Sequence, residues 1–317
     1  MTTYFVMPGE MLSGIVLDPP VTELVAFGGT AVDTTIHGGI QDDAGAATGT
    51  TIYTGYQYVE PGGVASNTMM YGGAQFVFAG GTAIATTING GAQDDFGTAI
   101  GTIINGGGVE FVEAGAVASG TVNNGGTQYV NDGGTARDTT MNGGVQIVFA
   151  GGTVIATTIN GGAQEDFGTA IGTIINAGRF EFVEAGGVAS GTVINAGTQD
   201  IFAGGSAANT AIYGGLQLVE AGAIASGTAI HGGNQAVMAG ATASGAIISG
   251  GFQDDFGSTI GTTINSSGTE IVEAGASAAG TIINGGNQVV QSGGLATGTT
   301  ITSGDQQNFG DGEQHDD

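Results

Sequence analysis

Short apolar runs alternate with paired glycines at near-even spacing along this chain. Between Tyr71 and Asn89 the order is a glycine pair, Gln75-Phe76-Val77-Phe78, a second glycine pair, the run Ala83 to Ile88, and a closing asparagine. Variants of this stretch recur almost from end to end, giving sixteen tandem units between Asp18 and Ile301, most of them 18 residues long. A period of roughly 18 to 20 with two apolar runs matches the coil of a β-solenoid, whereas helical repeats have periods above about 30. Helix is further disfavoured because the runs are short, rich in Val, Ile and Thr, and interrupted by glycine. The expected fold is all-β: a parallel β-solenoid, of β-helix or β-roll type, with about sixteen coils of 16–19 residues in a single elongated domain. Residues 1–17 are expected to be an N-terminal cap or partial coil, 18–301 the tandem repeats, and 302–317 an acidic C-terminal cap or tail.

Columns of near-constant residues predict which side chains face inward. Val59, Val77, Val112, Val130, Val148 and Val183 mark the centre of the first strand. Strand side chains alternate with period two, so Gln57, Gln75, Gln128 and Gln146, two residues earlier, share that face and predict a stacked amide ladder. The alternate positions, among them Tyr58, Phe76, Tyr129, Glu60, Phe78, Glu113 and Phe149, then point outward. Tyr58, Phe76, Phe78, Tyr129 and Phe149 are the candidate surface-binding residues. The second run carries recurrent Ala (Ala65, Ala83), Thr (Thr68, Thr86) and Ile or Met (Met70, Ile88), which suits a thin core. The glycine pairs supply positive-φ corners, and asparagine at the coil junction, as at Asn89, tolerates the same geometry.

Four units are two residues shorter and carry acids in the first strand: Gln41-Asp42-Asp43, Gln93-Asp94-Asp95, Gln164-Glu165-Asp166 and Gln253-Asp254-Asp255. After the last three, the next unit replaces the ladder Gln by Glu and adds a second acid: Glu110 and Glu113, Glu181 and Glu184, Glu270 and Glu273. Stacking would bring four carboxylates together, and these repel unless solvated, protonated or bridged by a cation. The functional reading is a calcium site built from Asp94, Asp95, Glu110 and Glu113, repeated at Glu165, Asp166, Glu181 and Glu184 and at Asp254, Asp255, Glu270 and Glu273. The competing reading is a local indentation whose acids face water and deter sheet aggregation. The Gly-Gly-x-Gly-x-Asp calcium pattern is absent.

Composition narrows the partners. The chain has 66 Gly, no Cys, no Lys and only Arg137 and Arg179 against 28 Asp and Glu, a formal charge of −26. Nucleic acid and anionic bilayers, which need cations for binding, are excluded. No run reaches the roughly 20 apolar residues of a membrane helix, so this segment is not expected to insert into a membrane. The N-terminal residues do not resemble a secretory signal. His37, His231 and His315 stand far apart, and neither a nucleophile elbow nor a phosphate loop is present, so no catalytic residue is expected. Calcium is the only candidate cofactor.

Units of the form GGxQxVxxGGxAxxTxIN, as in Gly72 to Asn89 and Gly143 to Asn160, resemble the repeats of AIDA-type (diffuse-adherence) autotransporter adhesin passenger domains. The resemblance spans residues 18 to about 304. It implies a non-enzymatic, extracellular or surface-displayed bacterial solenoid involved in adhesion, aggregation or biofilm, and glycosylated in some members on repeat Ser and Thr. Its partners would be a host or neighbouring-cell surface or a glycan. Ser66, Ser119, Ser190 and Ser226, near coil corners, would be better acceptors than the inward Thr. A carbohydrate-binding module and a self-assembling extracellular filament are the alternatives, with a polysaccharide-active β-helix enzyme ranked below them.

Overall fold

The computed structural model describes residues 2–310, which are all strand, turn and bend. Two compact units divide the chain, Met1–Ala163 and Gln164–Asp317. Each is a parallel β-solenoid, and together they comprise about 17 coils. Residues 1–17 account for the coil beyond the sixteen read from the repeats. Their strands Thr3–Val6, Met11–Ser13 and Val16–Leu17 pair in parallel with the coil that follows. In the second unit Thr300–Asn308 pairs with Ile282–Val290. The acidic run from Asp311 to Asp317 lies outside the described residues.

Each coil has three short strands rather than two. In residues 71–88 they are Ala74–Val77, Thr82–Ile84 and Thr87–Ile88. The apolar run Ala83 to Ile88 breaks at Ala85, whose φ of 55° places it in the left-handed region. Asn67, Asp138, Ala156 and Asn209 take the same conformation at this corner, while Gly49, Gly101 and Gly120 take it without Cβ strain. First and third strands lie in one sheet and middle strands in the other.

Register is constant from coil to coil. Gln75 lies opposite Gln57 and Gln93, and Val77 opposite Val59 and Asp95. Two apolar columns result. One is built from Val and Ala, as Val59, Ala65, Val77 and Ala83; the other from Leu17, Ile36, Ile52, Met70, Ile88 and Ile104. The remaining inward positions are polar and fully buried, a Gln and a Thr in each regular coil. Alternation requires this: Gln lies two residues before Val on the first strand, and Thr stands between the Ala and Ile strands.

The amides satisfy one another along the stack. Gln75 Nε2 donates to Gln57 Oε1 at 2.8 Å and to Thr68 Oγ1 at 3.2 Å, while its own Oε1 accepts from Thr86 at 3.0 Å. In the second unit Gln217, Gln235 and Gln253 each donate to the Gln one coil earlier, at 2.7, 2.6 and 2.6 Å. Every one of these donors points toward the N-terminal neighbour.

The two glycines of a corner serve different needs. Gly62 has φ 85° and open space where a Cβ would sit. A Cβ on Gly63 would lie 2.0 Å from the Asp43 carbonyl oxygen, because the coils approach too closely there. Gly62→Ala is expected to cost about 1–2 kcal/mol, the left-handed penalty of an L-residue. Gly63→Ala should abolish the cooperative transition of the first unit. Urea titration of the two variants, followed by circular dichroism, checks the contrast.

Candidate functional site

The ladder is not continuous. In the first unit it runs from Glu23 through Gln41, Gln57 and Gln75, and a new run starts at Glu110 and continues through Gln128 and Gln146. In the second unit Glu181 starts one run and Glu270 another. Each run therefore begins with a carboxylate that accepts from the next Gln: Gln41 to Glu23 at 2.8 Å, Gln128 to Glu110 at 2.6 Å, Gln199 to Glu181 at 2.6 Å and Gln288 to Glu270 at 2.7 Å. A thread of amides that all donate in one direction can start on a pure acceptor, which explains why Glu occupies these positions.

The short coils lie at the breaks. Asp95 occupies the Val column, paired in register with Val77 and Val112, and Glu110 lies opposite Gln93. Asp95, Asp166 and Asp255, together with Glu110, Glu181 and Glu270, are buried. Asp94, Glu113, Glu165, Glu184, Asp254 and Glu273 are half-buried on the outer face. The expected set of four carboxylates therefore does not assemble, because alternation sends adjacent acids to opposite sides of the sheet. Among the described residues no three His, Cys, Asp or Glu side chains converge as metal ligands. The inner pair with Gln93 Oε1 falls short of the six to eight oxygens that calcium takes. The reading in which all these acids face water also fails for the inner pair. On the outer face Asn131 Nδ2 donates to Glu113 at 2.8 Å.

The inner pair is short of donors. Gln93 Nε2 turns to Asp95 Oδ1 at 2.8 Å instead of continuing the ladder. Gln93 Oε1, Asp95 Oδ2 and Glu110 Oε1 are then buried with no partner, as are Gln164 Oε1 and Glu181 Oε1 in the second unit. Acceptor faces acceptor because Glu110 has replaced an amide that would have donated to Gln93. The third site is eased by Thr259, which stands in the Ala column with its hydroxyl 2.9 Å from Asp255 Oδ2 and 3.2 Å from Glu270 Oε1. Burial first, and the Glu110 charge second, push Asp95 well above the ordinary carboxylate range. Asp166 is raised in the same way by burial and then Glu181, and Asp255 by burial and then Glu270. Glu110 and Glu181 are raised mainly by burial. A proton held by Asp95, Asp166 or Asp255, which their raised values favour, would supply the missing donor.

Glu23 and Asp43 form a fourth buried pair in reversed order, the Glu one coil before the Asp. Glu23 Oε2 accepts from Thr34 and Gln41, and Asp43 Oδ2 from Gln57 at 2.8 Å. Sequence reasoning missed Glu23, although it stands 18 residues before Gln41 in the ladder column.

The candidate surface-binding rings form stacks. Tyr58 lies 5.5 Å from Phe76 and 6.0 Å from Phe78, ring centre to ring centre, with interplanar angles of 26° and 19°. Phe111, Tyr129 and Phe149 make a second stack at 5.1 and 6.0 Å. Within a stack the faces cover one another and the edges are left to solvent. The corner column behaves similarly: Tyr53 and Tyr71 stack, His37 lies tilted against Tyr53, and Asn89, Asn105, Asn124 and Asn142 continue it as an amide ladder. His37 also pairs with Asp18 at 3.5 Å.

No family model matches, and no curated protein matches. A solved structure does: the crystal structure of a TibC-catalysed hyper-glycosylated TibA55-350 fragment is 31% identical, covering 96% of this chain and 100% of that one, at TM-score 0.55. TibA is an AIDA-type autotransporter adhesin. This chain belongs to the AIDA-type adhesin family. It is an adhesin-type repeat protein, and the structure it matches is an adhesin passenger fragment rather than an enzyme.

The protonated pairs have a thermodynamic consequence. A carboxyl whose folded pKa is raised favours folding below its unfolded value, near 4, and that contribution is lost as pH climbs through the raised folded value. The melting temperature is therefore expected to fall between pH 5 and pH 8. Asp95→Asn combined with Glu110→Gln supplies donors without protons. It should flatten the pH dependence and gain on the order of 1–3 kcal/mol at pH 8, the scale of a buried unsatisfied group. Melting curves of the parent and the double variant over that range test it.

Proposed function

We propose that the chain acts as the adhesive passenger of a bacterial surface or secreted protein, contacting host or neighbouring cells through its repeated outer faces. One observation carries this reading: near-equivalent coils recur throughout the chain, and the buried carboxylates that interrupt them are engaged with the ladder rather than exposed to a substrate. The matched fragment adds support because its parent is an adhesin. The outer faces offer edges of stacked rings together with the acids Glu60, Asp94 and Glu113, spread over many coils. Contacts of this kind are individually weak and add by repetition. The same multiplicity would serve aggregation and biofilm.

Adhesion is therefore expected to scale with coil number. Beads coated at equal density with the whole chain or with variants lacking two, four or eight whole coils should show a graded loss of cell binding. Unchanged binding after removal of eight coils would count against the proposal.

A further inference from the structure

The short coils leave gaps in the corner between first and middle strands. In regular coils the first corner glycine donates its N–H to the same glycine of the next coil. Gly62 donates to Gly80 O at 2.9 Å, Gly115 to Gly133 O at 3.0 Å, and in the second unit Gly186 to Gly204 O at 3.0 Å. A short coil has no residue to occupy this rung. At the coil containing Gly45 the chain of bonds stops: Gly9 donates to Gly28 O at 2.7 Å, but Gly28 N–H and the Gly62 carbonyl have no partner among the described residues. A donor and an acceptor thus face each other across a missing rung.

This gap is a recess of about 250 Å³ lined by Phe27, Gly28, Thr30, Gly45, Gly62 and Val64. Phe27 is 76% exposed, the most exposed large apolar side chain among the described residues. Comparable gaps flank Gly97 and Gly257, but Ala79 and Ala239 stand there in place of Phe27. The gaps share an unpartnered glycine N–H, an unpartnered carbonyl and a neighbouring Thr (Thr30, Thr82 or Thr242), and the first alone adds an open ring face.

We propose that the notch at Gly45 is a subsite for one neutral pyranose ring of a glycan. A pyranose is about as thick as one coil spacing, ~4.8 Å, so it fills the missing rung. Its hydroxyls both donate and accept, which matches Gly28 N–H on one side and the Gly62 carbonyl on the other. Its C–H face lies against Phe27, an apolar wall with few convergent polar groups, as small-ligand recesses have. Asp42 in the same coil and Glu60 in the next, on a chain of charge −26, favour a neutral sugar over an anionic one. Ring faces in the Tyr58 to Phe78 stack are covered by their neighbours, so Phe27 offers what that stripe does not. The inference deepens the adhesive reading by naming the ligand class. Cell adhesion through other faces would survive its failure, and sugar binding is measured without cells.

Saturation-transfer NMR on the whole chain, with methyl glycosides of glucose, galactose, mannose and N-acetylglucosamine, tests it. At least one sugar should bind with a Kd in the millimolar range, about the strength of a single small contact. Phe27→Ala should weaken that binding about fivefold or more, and Phe27→Tyr should keep it. Insertion of Gly-Gly after Ala44, which restores the missing rung, should abolish it. Phe309→Ala, at another exposed ring, serves as a control and should leave it unchanged. Absence of transfer from all four sugars at about ten times that Kd scale, or equal transfer in Phe27→Ala, would overturn the proposal.

Discussion

A buried amide that must find both a donor and an acceptor is the constraint on which this structure depends. Each regular coil buries one Gln beside one Thr away from bulk solvent, and an unpaired buried polar group costs about 1–3 kcal/mol. The only partners available are the same groups one coil away. Stacking must then be parallel and in register, because a slip by one residue would send every Gln to the outer face. The Val, Ala and Ile columns supply burial but accept many registers. Amide chemistry selects one of them, and the glycines permit the close approach that it requires.

The same constraint gives the interior a polarity and explains its acids. Since each Gln within a run hands its N–H to the coil before it, the run ends at its N-terminal side on a group that only accepts. Glu23, Glu110, Glu181 and Glu270 fill that role. Where another run precedes the Glu, two acceptor ends meet, and the site needs a proton. The acids that suggested a metal site in the sequence are better understood inside the fold as the seams between successive ladders.

Much of this was legible in the residues. The period, the parallel stacking, the inward Gln and Val and the outward rings all follow from internal recurrence and strand alternation. The third corner was hidden because Gly, Asn, Asp and Ala share it, and Ala85 in the left-handed region carries no signal in the sequence. The carboxylates were found but wrongly grouped. Asp94 and Asp95 look like one cluster in a string of letters, yet the pleat divides them between solvent and core. Glu23 was passed over because it precedes the recurrent pattern instead of interrupting it.

In a solenoid, regularity makes the scaffold and the exceptions make distinct surfaces. Removing two residues from a coil leaves the sheets paired, since the ladder positions on both sides keep their register. What it removes is a rung of the corner, and with it the partners of two backbone groups. A corner of that kind is inert when an alanine stands beside it and addressable when a phenylalanine does. The deletions at Gly45, Gly97 and Gly257 are thus equivalent in backbone but unequal in chemistry, and the coil at Gly45 is where selection on a single side chain could turn a structural seam into a recognition site.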